Sequence, residues 1–263
     1  LTRGLKFNLD KELLDKLEVI TGSIHRADMI DEQGWTSAVH KISAANGNYI
    51  LKSSFKEKYR EWLKTEAEVL KKLKSQQEIP VPEYMHYIEE TGRNHLLMSY
   101  EEGVTLTKAL REAASQDEKK QLMKSFGQLL CRLHETETAH LEHTGDWLED
   151  QLKRADRYLK AGECDGDREL LEKLKANRLA EVKQTVIHGD CTTDNVMVRD
   201  GEVRLFIDVA GMTVGDPRYD VALAIRKVMA DSELTEAFYE GYGLFRLSSR
   251  EFNYFENGLY EFF

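Results

Sequence analysis

Near the middle of the chain the apolar positions cluster into short runs, Val186-Ile187, Val196-Met197-Val198 and Leu205-Phe206-Ile207. Runs this brief, closed by polar and turn-forming residues, predict buried strands. Asp200-Gly201 between the last two is a tight hairpin signal. His188, Asp190, Asn195 and Asp208 stand at the ends of these runs. A strand end is where a rigid scaffold can hold polar side chains toward a ligand.

The first third alternates in the same way. "TSAVHKISA" and "NYILKSS" flank Ala45-Asn46-Gly47 and predict a hairpin over residues 36–54. Residues 56–76 repeat apolar side chains at helical spacing, with Tyr59, Leu63, Leu70 and Leu73 on one stripe. Pro80 and Pro82 close that unit, and "HYIEETGRNHLLMSY" predicts a second hairpin turning at Thr91-Gly92. From about residue 104 the period becomes helical. Leu122, Phe126, Leu129, Leu130 and Leu133 form one stripe over 117–137, and charged helix-like stretches follow at 146–161 and 167–183. In "GDPRYDVALAIRKVM", Asp216 reads as an N-cap with Pro217 at the first helical position. The change of pattern at "MSYEEG" predicts an α+β chain of two unlike lobes, residues 1–100 and 101–263, with a cleft between them as the expected ligand site.

Composition narrows the partners. A chain of 263 residues with 41% hydrophobic content can build one large domain or two lobes. Cys131, Cys164 and Cys191 are odd in number and far apart, which fits a reducing compartment and neither a disulfide framework nor a zinc site. No apolar signal core opens the sequence and no run reaches the length of a membrane span, so a cytoplasmic protein with no membrane role is expected. The net charge of −10 disfavours nucleic acid as a partner and would receive a cationic small molecule more readily. No obligate protein partner is implied.

The chemistry lies in the spacing H-G-D-x4-N followed thirteen residues later by "FID". Transfer of a phosphoryl group from a nucleotide needs Mg²⁺ to bridge and neutralise phosphate oxygens, and Mg²⁺ takes hard oxygen ligands. Asn195 offers an amide oxygen and Asp208 a carboxylate, while Asp190 is placed to meet an incoming hydroxyl. Each residue alone reads equally as a turn former; the joint spacing is what points to chemistry. A second signal comes from the helix at 56–76, where Glu66 falls inside the apolar stripe. A carboxylate there needs a partner, and Lys52 on the preceding strand supplies one.

Together "YILK", Glu66, "HGDCTTDN" and "FIDVAGMTVGDPRYDVALAI" resemble the aminoglycoside phosphotransferase family over nearly the whole chain. The pattern is closest to the 3′-phosphotransferases. The resemblance implies a bilobal protein-kinase-like fold, a β-rich N-terminal lobe with one main helix and a mostly helical C-terminal lobe. It also implies ATP or GTP as co-substrate, Mg²⁺, and a small cationic acceptor. Asp190 matches the catalytic Asp, Asn195 and Asp208 the Mg²⁺ ligands, and Lys52 with Glu66 the phosphate-binding ion pair. Ser37 takes the place of a glycine-rich nucleotide loop, in which only Gly34 is present near the turn. The backbones of Met98, Ser99 and Tyr100 are candidates to meet the base.

The C-terminal "GLYEFF" is similar to the end of these enzymes, which helps bind the drug. Glu261 and the Phe263 carboxylate would then contact the acceptor, with Asp231 on the helix after "GDPRYD" as a third negative point. The same "EFF" reads equally as aromatic residues docking a helix end. "CTTD" between Asp190 and Asn195 departs from the drug-modifying pattern, and Cys191 reads as packing. A kinase of another metabolite, an amino alcohol or a sugar, is the alternative. A nucleotide-binding pseudokinase is disfavoured, because none of Lys52, Asp190, Asn195 and Asp208 is missing.

Overall fold

The computed structural model describes residues 9–30, 36–74, 78–137, 141 and 145–263. The chain divides into two compact units, residues 1–77 with 81–102, and residues 78–80 with 103–263.

The first unit opens with helix α1 (Lys11–Thr21), whose Asp10 cap accepts from the Leu13 amide at 2.9 Å. Its Leu13 and Leu17, one turn apart, are buried. Strands β1 (Ile24–Met29), β2 (Ala38–Ala44) and β3 (Gly47–Ser54) follow, then helix α2 (Glu57–Leu73) and strands β4 (Tyr84–Glu90) and β5 (Arg93–Ser99). They form one antiparallel sheet in the order β1-β2-β3-β5-β4. Both expected hairpins are present, with Ala44 opposite Gly47 and Glu90 opposite Arg93. Alternation along β3 puts Tyr49 and Leu51 into a core with Leu13, Leu17, Ile24, Ile42 and Leu97. Lys52 therefore points to the other face. α1 and β1 are additions to the expected pattern. Their signals, an Asp cap followed by Leu13 and Leu17 at i,i+4, were present in a segment read only for targeting.

The second unit begins with β6 (Val104–Thr105), α3 (Leu106–Glu112) and α4 (Gln116–Glu135). Next come α5 (Trp147–Ala161), α6 (Arg168–Ala176), β7 (Thr185–Ile187), β8 (Val196–Arg199) and β9 (Glu202–Phe206). A 3₁₀ turn at Val209–Gly211, β10 (Thr213–Gly215), α7 (Pro217–Ile225), α8 (Ser232–Tyr242), α9 (Ser249–Phe255) and a final 3₁₀ turn at Leu259–Phe262 complete it. β6, β8 and β9 form one small sheet, β7 and β10 another. Asp200 and Gly201 turn the β8–β9 hairpin at φ 54° and 76°, the left-handed pair that Asp-Gly favours. The helix expected over 167–183 stops at Ala176, and 177–183 run irregularly to β7.

Two features hold this unit's centre. α7 is buried on every side, Asp220 and Arg218 included, so it shows no amphipathic stripe and was legible only through its Asp-Pro start. α4 and α8 pack backbone against backbone. A Cβ added to Gly127 would lie 2.1 Å from the Phe238 carbonyl oxygen, and one on Gly241 would lie 1.9 Å from that of Lys124. Trp147, Tyr219, Phe255 and Phe262 fill the neighbouring core.

Candidate active site

Loop 188–195 connects β7 to β8 and is stitched in place by backbone and side-chain bonds. Gly189 has φ +80°, and a Cβ there would approach the Gly211 carbonyl oxygen to 2.3 Å, so only glycine fits between His188 and Asp190. His188 is buried. Its Nε2 donates to the Ile207 carbonyl at 2.9 Å, while its Nδ1 accepts from the Asp190 amide at 3.2 Å. The Ile207 amide in turn donates to the Asn195 carbonyl at 2.9 Å. Both ends of the loop thus grip Ile207, which fixes the start of Asp208, a residue in the left-handed region at φ 57°, ψ 51°. Asp tolerates that region better than most side chains.

Asp190 and Asn195 are in direct contact. The Asn195 side-chain amide donates to Asp190 Oδ2 at 2.7 Å and to the Asp190 carbonyl at 2.9 Å. With its nitrogen so engaged, the side-chain carbonyl oxygen of Asn195 is the group that could hold a cation. Burial pushes the Asp190 carboxyl above its ordinary range, with His188 and the Asn195 amide opposing. The Tyr260 hydroxyl stands 3.5 Å from Asp190 Oδ1, and burial together with Asp190 pushes this phenol up to about 12. Cys191 is buried and its thiol is pushed well above its ordinary value by burial, which accords with packing.

The anchor of this loop was not picked out from the sequence. Asp220, fully buried on α7, accepts from the His188 amide at 2.6 Å and from the Gly189 amide at 2.9 Å. His134 on α4 joins it, with Nε2 3.4 Å from Asp220 and Nδ1 2.7 Å from the Tyr242 hydroxyl. One signal was available, an Asp in the middle of an otherwise apolar helix, where burial demands partners. On the loop's other side the Thr107 and Thr193 hydroxyls meet at 2.7 Å, and Lys227 pairs with Asp194.

In the first unit, Lys52 Nζ donates to both carboxylate oxygens of Glu66 at 2.7 and 3.0 Å, with both side chains largely buried. The strand lysine and the helix glutamate inferred from the stripe are therefore one ion pair. The Ser37 hydroxyl bonds Ser54 at 2.6 Å; Gly34 lies outside the described residues. Ser99 and Tyr100 already use their amides, which donate to the carbonyls of Glu83 and Asn48 at 3.0 and 3.4 Å. Met98 sits within β5, opposite Ile50 and Tyr84.

The expected acceptor contacts are placed unevenly. Asp231 lies after α7 as the N-cap of α8. Its Oδ1 accepts from the Glu233 and Leu234 amides, both at 3.1 Å, and its Oδ2 from Gln116 at 3.0 Å. Those bonds, the Leu234 amide first, hold its carboxyl below the usual range. Glu261 is half-buried, and its carbonyl accepts from the Asp165 and Gly166 amides at 3.1 and 2.8 Å. Phe263 stacks its ring edge-on to Tyr158 at 5.9 Å and under Arg154 at 5.1 Å. Phe262 is the residue that docks into the core.

Among the described residues no group of three or more His, Cys, Asp or Glu could hold a metal ion by itself. The amide oxygen of Asn195 and the carboxylate of Asp208 are hard oxygens of the kind that would hold a Mg²⁺. Among the same residues no helix is long and apolar enough to cross a membrane.

The model of the phosphotransferase enzyme family matches residues 30–254. The chain belongs to this family. The chain is similar to an aminoglycoside 3′-phosphotransferase of Enterococcus faecalis, 25% identical over 231 residues, which span 81% of this chain and 86% of that relative. One from Staphylococcus aureus is 24% identical over 182 residues, 63% of this chain and 67% of that relative. Among solved structures, aminoglycoside-3′-phosphotransferase of type VIII superposes with a TM-score of 0.78 at 21% identity, covering 96% of this chain and 98% of that one. Spectinomycin phosphotransferase, in complex with ADP and spectinomycin, does so with 0.62 at 17%, covering 95% and 84%. The protein-kinase-like α+β fold implied by the motifs is thus the fold of this phosphotransferase.

Proposed function

We propose that this phosphotransferase moves the γ-phosphoryl group of ATP or GTP to a hydroxyl of an aminoglycoside-like cationic acceptor. The observation that carries the reading is Asp190, held by Asn195 at 2.7 Å in a loop whose backbone is bonded to the buried Asp220. Two relatives are named aminoglycoside 3′-phosphotransferases, and solved neighbours bind ADP or AMP-PNP beside spectinomycin or hygromycin B.

In the proposed reaction Asp190 orients the acceptor hydroxyl and takes its proton as the oxygen attacks phosphorus in line. Burial of its carboxyl raises its proton affinity, which suits that role. Asn195 and Asp208 would hold Mg²⁺, which when bound neutralises charge on the phosphates. Lys52, oriented by Glu66, meets phosphate oxygens, and Ser37 with the backbones of Met98, Ser99 and Tyr100 completes nucleotide binding in the first unit. No covalent enzyme intermediate forms; orientation and charge supply the rate. Glu261, beside Phe263, provides negative charge for the acceptor. Asp231, occupied as a helix cap, contributes through its charge alone.

Mg²⁺-dependent release of ADP and GDP, measured against kanamycin- and neomycin-type drugs, choline and neutral sugars, tests this reading. Stimulation by amino sugars, abolished in Asp190→Ala with nucleotide binding retained, is the expected result. Near-native turnover in Asp190→Ala would overturn the role given to that residue. One observation favours a second reading, a kinase of a less cationic metabolite such as a sugar or an amino alcohol. Several acidic groups of the second unit already have cationic or capping partners, Asp194 with Lys227, Glu256 with Arg226 and Asp231 with α8. Stimulation by neutral sugars or choline alone would select it.

A further inference from the structure

The two carboxylate oxygens of Asp190 are occupied differently. Oδ2 takes the Asn195 amide at 2.7 Å, so Oδ1 is the oxygen left to receive an incoming hydroxyl. The Tyr260 phenol covers it, with its hydroxyl 3.5 Å away. That is the outer limit of a hydrogen bond, close enough to engage the oxygen yet too long to saturate it. Tyr260 is also rigidly carried. Its neighbours Leu259 and Phe262 are fully buried, and its carbonyl accepts from the Phe263 amide at 3.1 Å. The Arg226 guanidinium lies over its ring, 4.4 Å from the centroid, and is itself held by Glu256 at 3.0 Å. None of these groups has a part in the transfer described above.

We propose that Tyr260 is a positioning residue that shields Asp190 Oδ1 from water, so that the phosphoryl group goes to the bound acceptor rather than to solvent. The inference rests on the phosphotransferase mechanism proposed above. A water at Oδ1 would be oriented as the acceptor hydroxyl is. Its oxygen would bond to the γ-phosphorus, the β–γ bridging P–O bond would break, and one water proton would pass to Asp190, releasing nucleoside diphosphate and inorganic phosphate. The phenol hydroxyl donates its weak bond to Oδ1 in place of such a water, which on its own gains too little to displace it. An acceptor, held by the rest of its contacts, can still bring its hydroxyl to about 2.7 Å from Oδ1, because the 3.5 Å contact leaves a lone pair available. Arg226 keeps the ring from tipping aside, since a flat guanidinium stacks on an aromatic face as an ammonium does not.

The test is nucleotide hydrolysis in the absence of any acceptor, in Tyr260→Phe and Arg226→Lys. Binding of a fluorescent ATP analogue and the melting temperature are followed in parallel. Tyr260→Phe keeps the ring and removes only the hydroxyl. Hydrolysis should rise roughly tenfold or more, the scale of one hydrogen bond to a charged group, with nucleotide affinity unchanged. A merely structural role would lower hydrolysis and affinity together. Arg226→Lys should raise hydrolysis in the same direction, and the double variant should rise no further than Tyr260→Phe alone. Hydrolysis at or below the wild-type level in Tyr260→Phe, with the analogue still bound, overturns the shield. Absence of nucleotide binding in the wild type would instead overturn the reading on which it rests.

Discussion

Asp220→Asn exchanges one oxygen of a fully buried carboxylate for an NH₂ group and leaves the volume almost unchanged. In the native protein each oxygen has its own backbone donor, Oδ2 the His188 amide at 2.6 Å and Oδ1 the Gly189 amide at 2.9 Å. Asparagine keeps an acceptor for one of them and sets a donor against the other. The loss is one charge-assisted bond together with an unpaired buried amide, about 3 kcal/mol. That is a large part of the 5–15 kcal/mol typical of a folded domain. At a urea m-value of about 2 kcal/mol/M, the midpoint should fall by roughly 1.5 M. Trp147, buried against Tyr219 with ring centroids 5.2 Å apart, is a fluorescence reporter inside this unit. At a temperature where the variant is still folded, turnover should drop further than nucleotide affinity, because the loop that carries Asp190 has lost an anchor. A midpoint within about 0.3 M of wild type would refute the argument that these two bonds hold the loop, given the size of the expected shift.

Glu66→Gln removes the carboxylate that accepts from Lys52 at 2.7 and 3.0 Å, and nucleotide affinity should weaken about tenfold in a fluorescence titration; unchanged affinity would remove this pair from the phosphate site. Glu90 is held below its ordinary pKa by Lys16 first and by Arg93. Its folded value lies below its unfolded one, so its contribution to stability is present above the unfolded pKa and is lost as pH falls through the folded value. Melting temperatures of Glu90→Gln should therefore decline less steeply than wild type between about pH 5 and pH 3. Parallel declines would show that the Lys16–Glu90–Arg93 cluster does not govern acid stability.

The parts of the fold that local rules govern were legible. Asp200-Gly201, Thr91-Gly92 and Asp216-Pro217 each dictate their own backbone, and the structure has a turn or a helix start at each. Lys52 and Glu66 were found because a charge within an apolar stripe has to be answered. Asp220 escaped notice for the opposite reason. α7 is buried all round, so no stripe framed the one acid within it, and its shortest bonds are to backbone amides that no side-chain pattern reveals. Tyr260 is brought to Asp190 across 70 residues by the docking of Phe262, a contact of tertiary packing alone. Asp231 was legible as belonging to a helix after "GDPRYD", but its use as the α8 cap, bonded to the Glu233 and Leu234 amides, was not.

The glycine contact between α4 and α8 bears on how substitution data for this protein should be read. A methyl group at Gly127 or Gly241 would collide with carbonyl oxygens of the facing helix, and the two helices would have to separate. α4 carries His134, which links Tyr242 on α8 to the Asp220 anchor, so the displacement would reach loop 188–195 through hydrogen bonds of 2.7 and 3.4 Å. Two positions with no chemistry of their own are thereby as intolerant of change as the acids they support. In a library of single substitutions scored by turnover, a map of sensitive positions would outline the helix seam together with the reaction centre. Only a parallel score for folded protein would separate them.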